Sequence, residues 1–162
     1  MAIAIGDRLP EARFLEKGVD GIEAVDGQSL FAARRVVLFA VPGAYTGVCS
    51  TRHMPSFIGV AGALREKGVD EIACVAVNDP FVMKAWGEAS GGLAAGIRML
   101  SDADGSFARA MGLHFDNPDR GLIGRSKRYA LLAEDGVVRV LNVEAATGTC
   151  ELSSGPAMLD AI

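Results

Sequence analysis

Two uninterrupted apolar runs limit how this chain can fold. Val36–Val41 and Ile72–Val77 each contain six apolar residues in succession. A strand with one solvated face alternates apolar and polar residues, so these runs predict strands that are buried on both faces. Each run is followed by apolar residues at helical spacing, from about Val48 to Lys67 after the first and through Trp86 after the second. We therefore expect parallel strands covered by helices.

The rest of the pattern predicts a mixed sheet. A short strand is expected at Ile97–Leu100 and a short helix at Ser106–Met111. Further on, Glu134-Asp135-Gly136 separates two apolar runs, which is typical of a hairpin. This order predicts an α/β protein with a thioredoxin-like fold, in which helices flank a mixed central sheet. We expect a single domain over residues 1–162.

Glycine, proline and serine positions predict the ends and irregularities of these elements. The glycine-containing start of the chain, up to Gly27, indicates loops. Pro55 lies inside the first predicted helix and is expected to bend it. Asp79, followed by a proline, is a suitable cap for the second helix, and Ser153 or Ser154 for a terminal one.

Composition excludes several classes of function. The net charge of −4 argues against nucleic acid as a partner. No apolar run approaches the roughly 20 residues of a membrane-spanning helix, and the first residues lack the pattern of a signal peptide. The three cysteines do not have the spacing of a secreted disulfide framework. We expect a protein of a reducing, cytoplasmic compartment that binds neither nucleic acid nor membranes.

The segment between the first apolar run and the first helix carries the chemistry. Pro42-Gly43-Ala44-Tyr45-Thr46-Gly47-Val48-Cys49 delivers a cysteine to a predicted helix start, where unpaired N–H groups and the helix dipole favour thiolate over thiol. No second cysteine follows at Cys-x-x-Cys spacing, and no metal or nucleotide motif is present, so we expect no metal and no cofactor. Cys74 lies midway along a buried strand and is interpreted as inert core.

These residues resemble the active-site motif of the peroxiredoxins, the thiol-dependent peroxidases. Pro42-x-x-x-Thr46-x-x-Cys49 matches that motif. The segments Val77–Trp86, Arg128–Ala130 and Asp135–Glu144 extend the similarity to nearly the whole chain and place it near the peroxiredoxin-5, or type II, subfamily. The resemblance implies that Cys49 reduces hydrogen peroxide and alkyl hydroperoxides and becomes a sulfenic acid.

The resemblance also implies roles for the neighbours of Cys49. Thr46 would hydrogen-bond at the site, Pro42 would shield the thiolate, and Arg128 would stabilise the thiolate and the developing charge. Backbone N–H groups at the helix start would hold the peroxide oxygens, as an oxyanion hole does. These N–H groups belong to Gly47, Val48 and Cys49.

The resemblance leaves the reducing partner open. We expect glutathione, with glutaredoxin, to reduce the sulfenic acid in a one-cysteine cycle. The alternative is a two-cysteine, thioredoxin-dependent cycle in which Cys150 resolves the Cys49 sulfenic acid; sequence does not show whether the two sulfurs can meet. The resemblance further implies a homodimer.

Two other functions remain open from the residues alone. A cysteine hydrolase would need a histidine base held by an acidic or amide partner, and His114-Phe115-Asp116-Asn117 has those residue types without a supporting motif. A redox sensor would use the Cys49 sulfenic acid for signalling without fast turnover. His53 follows Cys49 by four residues and could share its helical face and tune the thiolate, but a structural or surface role is the favoured interpretation.

Overall fold

The computed structural model describes residues 1–162, which form one seven-stranded sheet and one two-stranded sheet. The strands are β1 (Arg13–Lys17), β2 (Ile22–Asp26), β3 (Arg35–Ala40), β4 (Glu71–Ala76), β5 (Arg98–Ser101), β6 (His114–Asn117), β7 (Leu122–Ser126), β8 (Tyr129–Glu134) and β9 (Val137–Val143). The large sheet has the order β2-β1-β5-β4-β3-β8-β9, and β6 pairs with β7. Strands β3, β4 and β5 are parallel and the other pairs are antiparallel, which confirms the predicted mixed sheet.

Helices cover both faces of the large sheet. They are α1 (Gly27–Phe31), a π-helical turn (Cys49–His53), α2 (Met54–Glu66), α3 (Pro80–Ser90), α4 (Ser106–Ala110), a 3-10 turn (Pro118–Arg120) and α5 (Gly155–Ala161). As expected, Asp79 caps α3 by accepting from the Val82 N–H, and Ser154 caps α5 by accepting from the Ala157 N–H. None of these helices has the length and apolar character that a membrane crossing needs.

Strand β3 lies inside the large sheet, between β4 and β8, and is buried on both faces, as its apolar run predicts. Successive side chains point to opposite faces of the sheet. On one face Phe39 packs in a core with residues of α2, α3 and α5, and on the other Leu38 packs in a core with residues of α1 and α4. Phe39 and Leu38 are both fully buried. The two cores fix the position of the loop that leaves the end of β3.

The register between β3 and β8 brings two distant parts of the chain together. These strands are antiparallel, with Ala40 opposite Tyr129. The end of β3 is therefore beside the beginning of β8, and Arg128 comes immediately before Tyr129. On the far side of β8, Asp135 and Gly136 have φ values of 50° and 76° and form the predicted tight hairpin turn.

The expectation of a loop-rich start is wrong. Residues 13–26 form the β1–β2 hairpin, which lies at the edge of the large sheet. Most β2 side chains are exposed, so no apolar run in the sequence indicates this strand. The β6–β7 pair was not predicted for the same reason, since its residues are mostly exposed or half-buried.

The helix expected from about Val48 to Lys67 is confirmed over residues 47–66. After Gly47 and Val48 it contains a π-helical turn, in which the Met54 N–H donates to the Cys49 carbonyl five residues earlier. Pro55 follows this turn, and because proline has no N–H it cannot donate the hydrogen bond that an α-helix would make to the Thr51 carbonyl. The irregularity expected at Pro55 is therefore a change of helix type just before it. The thiol of Cys49 lies at the start of the widened turn.

Candidate active site

Cys49 is a fully buried thiol with two hydrogen-bond donors aimed at its sulfur. Its residue exposure is 0%. Thr46 Oγ1 lies 3.0 Å from Cys49 Sγ on one side, and Arg128 Nη2 lies 3.0 Å from it on the other. Both donors make stronger contacts with a negatively charged sulfur than with a neutral one, so the arrangement suits a nucleophilic sulfur. The structure thus joins three residues that the sequence analysis proposed.

Thr46 contacts two acceptors through one hydroxyl hydrogen. Its Oγ1 is 2.7 Å from the Gly43 carbonyl oxygen as well as 3.0 Å from the sulfur. A hydroxyl has a single hydrogen and can donate to only one of them at a time. Donation to Cys49 is therefore the arrangement that stabilises a thiolate, while donation to Gly43 leaves the oxygen lone pairs facing the thiol.

The loop before Cys49, residues 41–48 (the cysteine loop), is fixed by side chains from elsewhere. Asn78 Oδ1 accepts from the Ala44 N–H at 2.9 Å, and Arg125 Nη1 donates to the Pro42 carbonyl at 3.2 Å. A Cβ at Gly43 would lie only 2.8 Å from that same nitrogen, so a larger residue there would displace the Arg125 guanidinium. The sequence analysis missed Asn78 and Arg125. Asn78 could have been found, because the carboxyl ends of parallel strands meet at one sheet edge.

Pro42, Gly47 and Val48 lie in the cysteine loop, and their roles at the site stay predictions. Pro42 is buried at the beginning of the cysteine loop. Gly47 and Val48 are helical and directly precede Cys49, and Gly47 is exposed. The first N–H groups of a helix have no acceptor within it. These backbone groups therefore offer donors to an oxygen-containing substrate close to the sulfur.

Arg128 is a buried cation with a partner for every guanidinium nitrogen. It is 2% exposed. Nε and Nη2 each donate to the Thr147 carbonyl at 3.1 Å, Nη2 also reaches Cys49, and Nη1 lies 3.0 Å from Nδ1 of His53. A buried charge is tolerated only where it is paired and hydrogen-bonded. These contacts fix the orientation of the planar Arg128 guanidinium at the sulfur.

His53 is a buried neutral imidazole that contacts Arg128, so a surface position is wrong. Its Nε2 lies 2.9 Å from the Ser153 carbonyl oxygen, which can only accept. The hydrogen is therefore on Nε2, and Nδ1 accepts from Arg128. Burial, followed by the nearby Arg128 charge, lowers the pKa of His53 to about 3. Nothing in its sequence spacing revealed this contact.

A buried carboxylate organises the segment 144–154 (the C-terminal loop), which supplies Thr147 and Ser153. Glu144 is 7% exposed and accepts four hydrogen bonds. Burial raises the pKa of Glu144, but the hydrogen bonds from Ser153, Glu151 and Thr149 outweigh burial, and the pKa is lowered. The ionised carboxylate thus shapes the loop that supports Arg128.

Comparison with known proteins identifies the family. The family model described as Redoxin matches residues 4–159. A similar protein, the chloroplastic Peroxiredoxin-2E-2 of Oryza sativa subsp. japonica, is 49% identical over 164 residues, covering 99% of this chain and 72% of the relative. The chain belongs to the peroxiredoxins, which are thiol peroxidases.

Solved peroxiredoxin structures share the fold of this one. Reduced Prx3 from Vibrio vulnificus, in complex with H2O2, is 47% identical, with a TM-score of 0.92 and 98% of each chain covered. Peroxiredoxin 5 from Alvinella pompejana is 33% identical, with a TM-score of 0.84, covering 98% of this chain and 97% of its own. These similarities confirm the thioredoxin-like fold and the type II assignment.

The other two cysteines of this peroxiredoxin occupy different environments. Cys74 is fully buried on β4 opposite Phe39, without a hydrogen-bond donor at its sulfur, and burial raises its pKa. Cys150 is half-buried in the C-terminal loop, where burial also raises the pKa of its thiol. All three cysteines are free thiols. A resolving role for Cys150 stays a prediction.

The geometry disfavours a cysteine hydrolase. Both ring nitrogens of His53 are engaged, by Arg128 and by the Ser153 carbonyl. His114 is exposed on β6, and neither histidine hydrogen-bonds to Cys49. A base that takes a proton from the thiol must reach it. The groups that contact the Cys49 sulfur are the Thr46 hydroxyl and the Arg128 guanidinium instead.

Proposed function

We propose that Cys49 is the peroxidatic residue and that it reduces hydrogen peroxide and alkyl hydroperoxides. The observation that carries the proposal is the pair of donors, Thr46 and Arg128, at 3.0 Å from one buried sulfur. The thiolate attacks one peroxide oxygen and the O–O bond breaks. Sulfur is oxidised by two electrons to the sulfenic acid, and the other oxygen leaves as water or an alcohol after taking up a proton.

The neighbouring residues would stabilise this attack. Arg128 and Thr46 can follow the negative charge as it moves from sulfur to the departing oxygen, while the N–H groups of Gly47 and Val48 bind peroxide oxygen. Pro42 shields the sulfur from water. The similar Vibrio vulnificus Prx3 is described in complex with H2O2, which supports peroxide as the substrate class.

The decisive experiment compares two buried cysteines. Cys49→Ser should abolish peroxide consumption in the presence of a thiol reductant, because a hydroxyl does not ionise at neutral pH. Cys74→Ala is the matched control and should retain it, since Cys74 has no donor at its sulfur. Equal activity of the Cys49→Ser protein and the wild type would refute the proposal. Repeated turnover by the wild type distinguishes an enzyme from a sensor that is oxidised only once.

We further propose a one-cysteine cycle in which glutathione, with glutaredoxin, reduces the Cys49 sulfenic acid. The full burial of Cys49 and the hydrogen bonds to Glu144 that hold the loop carrying Cys150 support it, because a disulfide forms only where the two Cα atoms come within about 7 Å of each other. Mass spectrometry of protein oxidised by peroxide without added thiol tests this. A persistent sulfenic acid supports the one-cysteine cycle, whereas a Cys49–Cys150 disulfide establishes the thioredoxin-type alternative.

A homodimer in a cytoplasmic compartment completes the proposal. Tyr45 in the cysteine loop and Phe81 at the start of α3 are 56% and 62% exposed, which suits an apolar contact beside the site. Analytical ultracentrifugation should give about twice the chain mass of 16.9 kDa. Sedimentation at the monomer mass at micromolar concentrations would contradict it.

A further inference from the structure

Residues outside the cysteine motif hold the Arg128 guanidinium at the sulfur. One of these residues, His53, does so through its side chain. Thr147 contributes only its backbone carbonyl, which accepts from Nε and Nη2. The remaining nitrogen, Nη1, has His53 Nδ1 as its hydrogen-bond partner. Any rotation of the guanidinium that kept the Thr147 contacts would have to break this one. His53 is therefore placed to fix the angle at which Nη2 meets Cys49.

We propose that His53 is a positioning residue for the peroxidase reaction: its unprotonated Nδ1 holds the Arg128 guanidinium in the orientation that directs Nη2 at Cys49 Sγ. The inference rests on the proposed function, in which Cys49 attacks peroxide. His53 acts through Arg128 and makes no hydrogen bond to the sulfur.

The surroundings of His53 leave the ring one orientation and one protonation state. The ring packs against Phe39 of β3 and Phe57 of α2, with ring centroids 5.0 Å and 5.6 Å away. Its Nε2–H donates to the Ser153 carbonyl, and the Ser153 N–H and hydroxyl donate to the Glu144 carboxylate. The charged groups that face the ring are thus Arg128 and Glu144, and the former opposes protonation.

Two substitutions separate the two ring nitrogens. An asparagine carbonyl occupies approximately the position of Nδ1, and a glutamine amide approximately that of Nε2. His53→Asn therefore retains an acceptor for Arg128, whereas His53→Gln retains only the donor to Ser153. We expect His53→Gln to lower the second-order rate constant for peroxide about tenfold or more, and His53→Asn to stay within about threefold of wild type.

A double-mutant cycle distinguishes positioning from a purely structural role. In an Arg128→Lys background there is no guanidinium for His53 to orient. His53→Gln should therefore lower the peroxide rate constant by no more than about twofold in that background. A structural defect would instead lower the rate by the same factor in both backgrounds. Equal rates for His53→Asn and His53→Gln, or an unchanged factor in the Arg128→Lys background, would overturn the proposal.

The wild-type protein provides a measurement that needs no His53 variant to fold. Nitrogen-15 NMR should show His53 with hydrogen on Nε2 and a bare Nδ1 from pH 5 to pH 8. The protein has only two histidines, so a His114→Gln sample assigns the signals. Hydrogen on Nδ1 at pH 6 would overturn the proposal. Activity that survives Cys49→Ser would refute the proposed function instead, and this NMR result would be unaffected.

Discussion

The two sides of the Cys49 sulfur are built in opposite ways. On one side Thr46 is three residues away in the chain, and the cysteine loop alone brings its hydroxyl to the sulfur. On the other side Arg128 is 79 residues away, and its own partners are 19 residues further on at Thr147 and 75 residues back at His53. The first side depends on the shape of one loop. The second depends on the packing of β8, the π-helical turn and the C-terminal loop.

Because of this difference, substitutions on the two sides should have effects of different size. Removing the Thr46 hydroxyl deletes one donor and leaves the backbone in place. Disturbing the other side misplaces a buried cation, whose charge must remain paired. We therefore expect the larger effects on the arginine side.

The largest effect is expected from Arg128→Lys. Lysine keeps the positive charge but cannot contact the sulfur, His53 and Thr147 with one planar group. The rate constant for peroxide, measured by stopped flow, should fall about 100-fold. Arg139→Lys, at an exposed position on β9, is the control and should react as the wild type does. A fall of less than about threefold for Arg128→Lys would show that charge alone is needed.

A smaller effect is expected from Thr46→Val. Valine has nearly the shape of threonine but no donor, so the thiolate loses one of its two hydrogen bonds. The peroxide rate constant should fall about tenfold, as for other hydrogen bonds to charged groups. Thr46→Ser restores the hydroxyl and should recover most of the rate. If valine and serine variants react equally fast, the hydroxyl does not act at the sulfur.

The same contrast explains what could be predicted from the sequence. The role of Thr46 was predicted through the family resemblance, from a continuous motif that directly follows an apolar strand. Arg128 was predictable only through a family resemblance. His53 and Thr147 were not identified as its partners, since a bare ring nitrogen and a backbone carbonyl have no residue pattern. The interior strand β3 was predicted from its apolar run, whereas the exposed edge strand β2 was not predicted.

Glu144→Gln tests how far the C-terminal loop supports Arg128. The amide keeps one acceptor oxygen but loses the charge that strengthens the bonds from Ser153 and Thr149. Unfolding by urea should show a loss of about 1–3 kcal/mol, and the peroxide rate constant should fall a few-fold. Glu151→Gln, in the same loop but with an exposed side chain, is the control. Unchanged stability of the Glu144→Gln protein would mean that the loop does not depend on the carboxylate.

The smallest effect at neutral pH concerns proton uptake by His53. Its pKa is about 3 in the folded protein and near 6.5 when unfolded, so between these values the unfolded chain binds more protons. The stability contributed by the neutral ring is complete above pH 6.5 and is lost as the pH falls. Below pH 6 this group alone should decrease the free energy of unfolding by up to about 1.4 kcal/mol per pH unit.

Comparison with His53→Asn isolates this contribution. The carboxylates with shifted pKa values, Asp102, Asp104 and Glu144, are present in both proteins, so their contributions cancel in the comparison. Urea unfolding measured from pH 7 to pH 5 should therefore give a steeper acid loss of stability in the wild type than in the variant. Parallel curves would mean that His53 already binds a proton in the folded protein. Its Nδ1 would then have no lone pair for Arg128, and the arginine side of the sulfur would need another anchor.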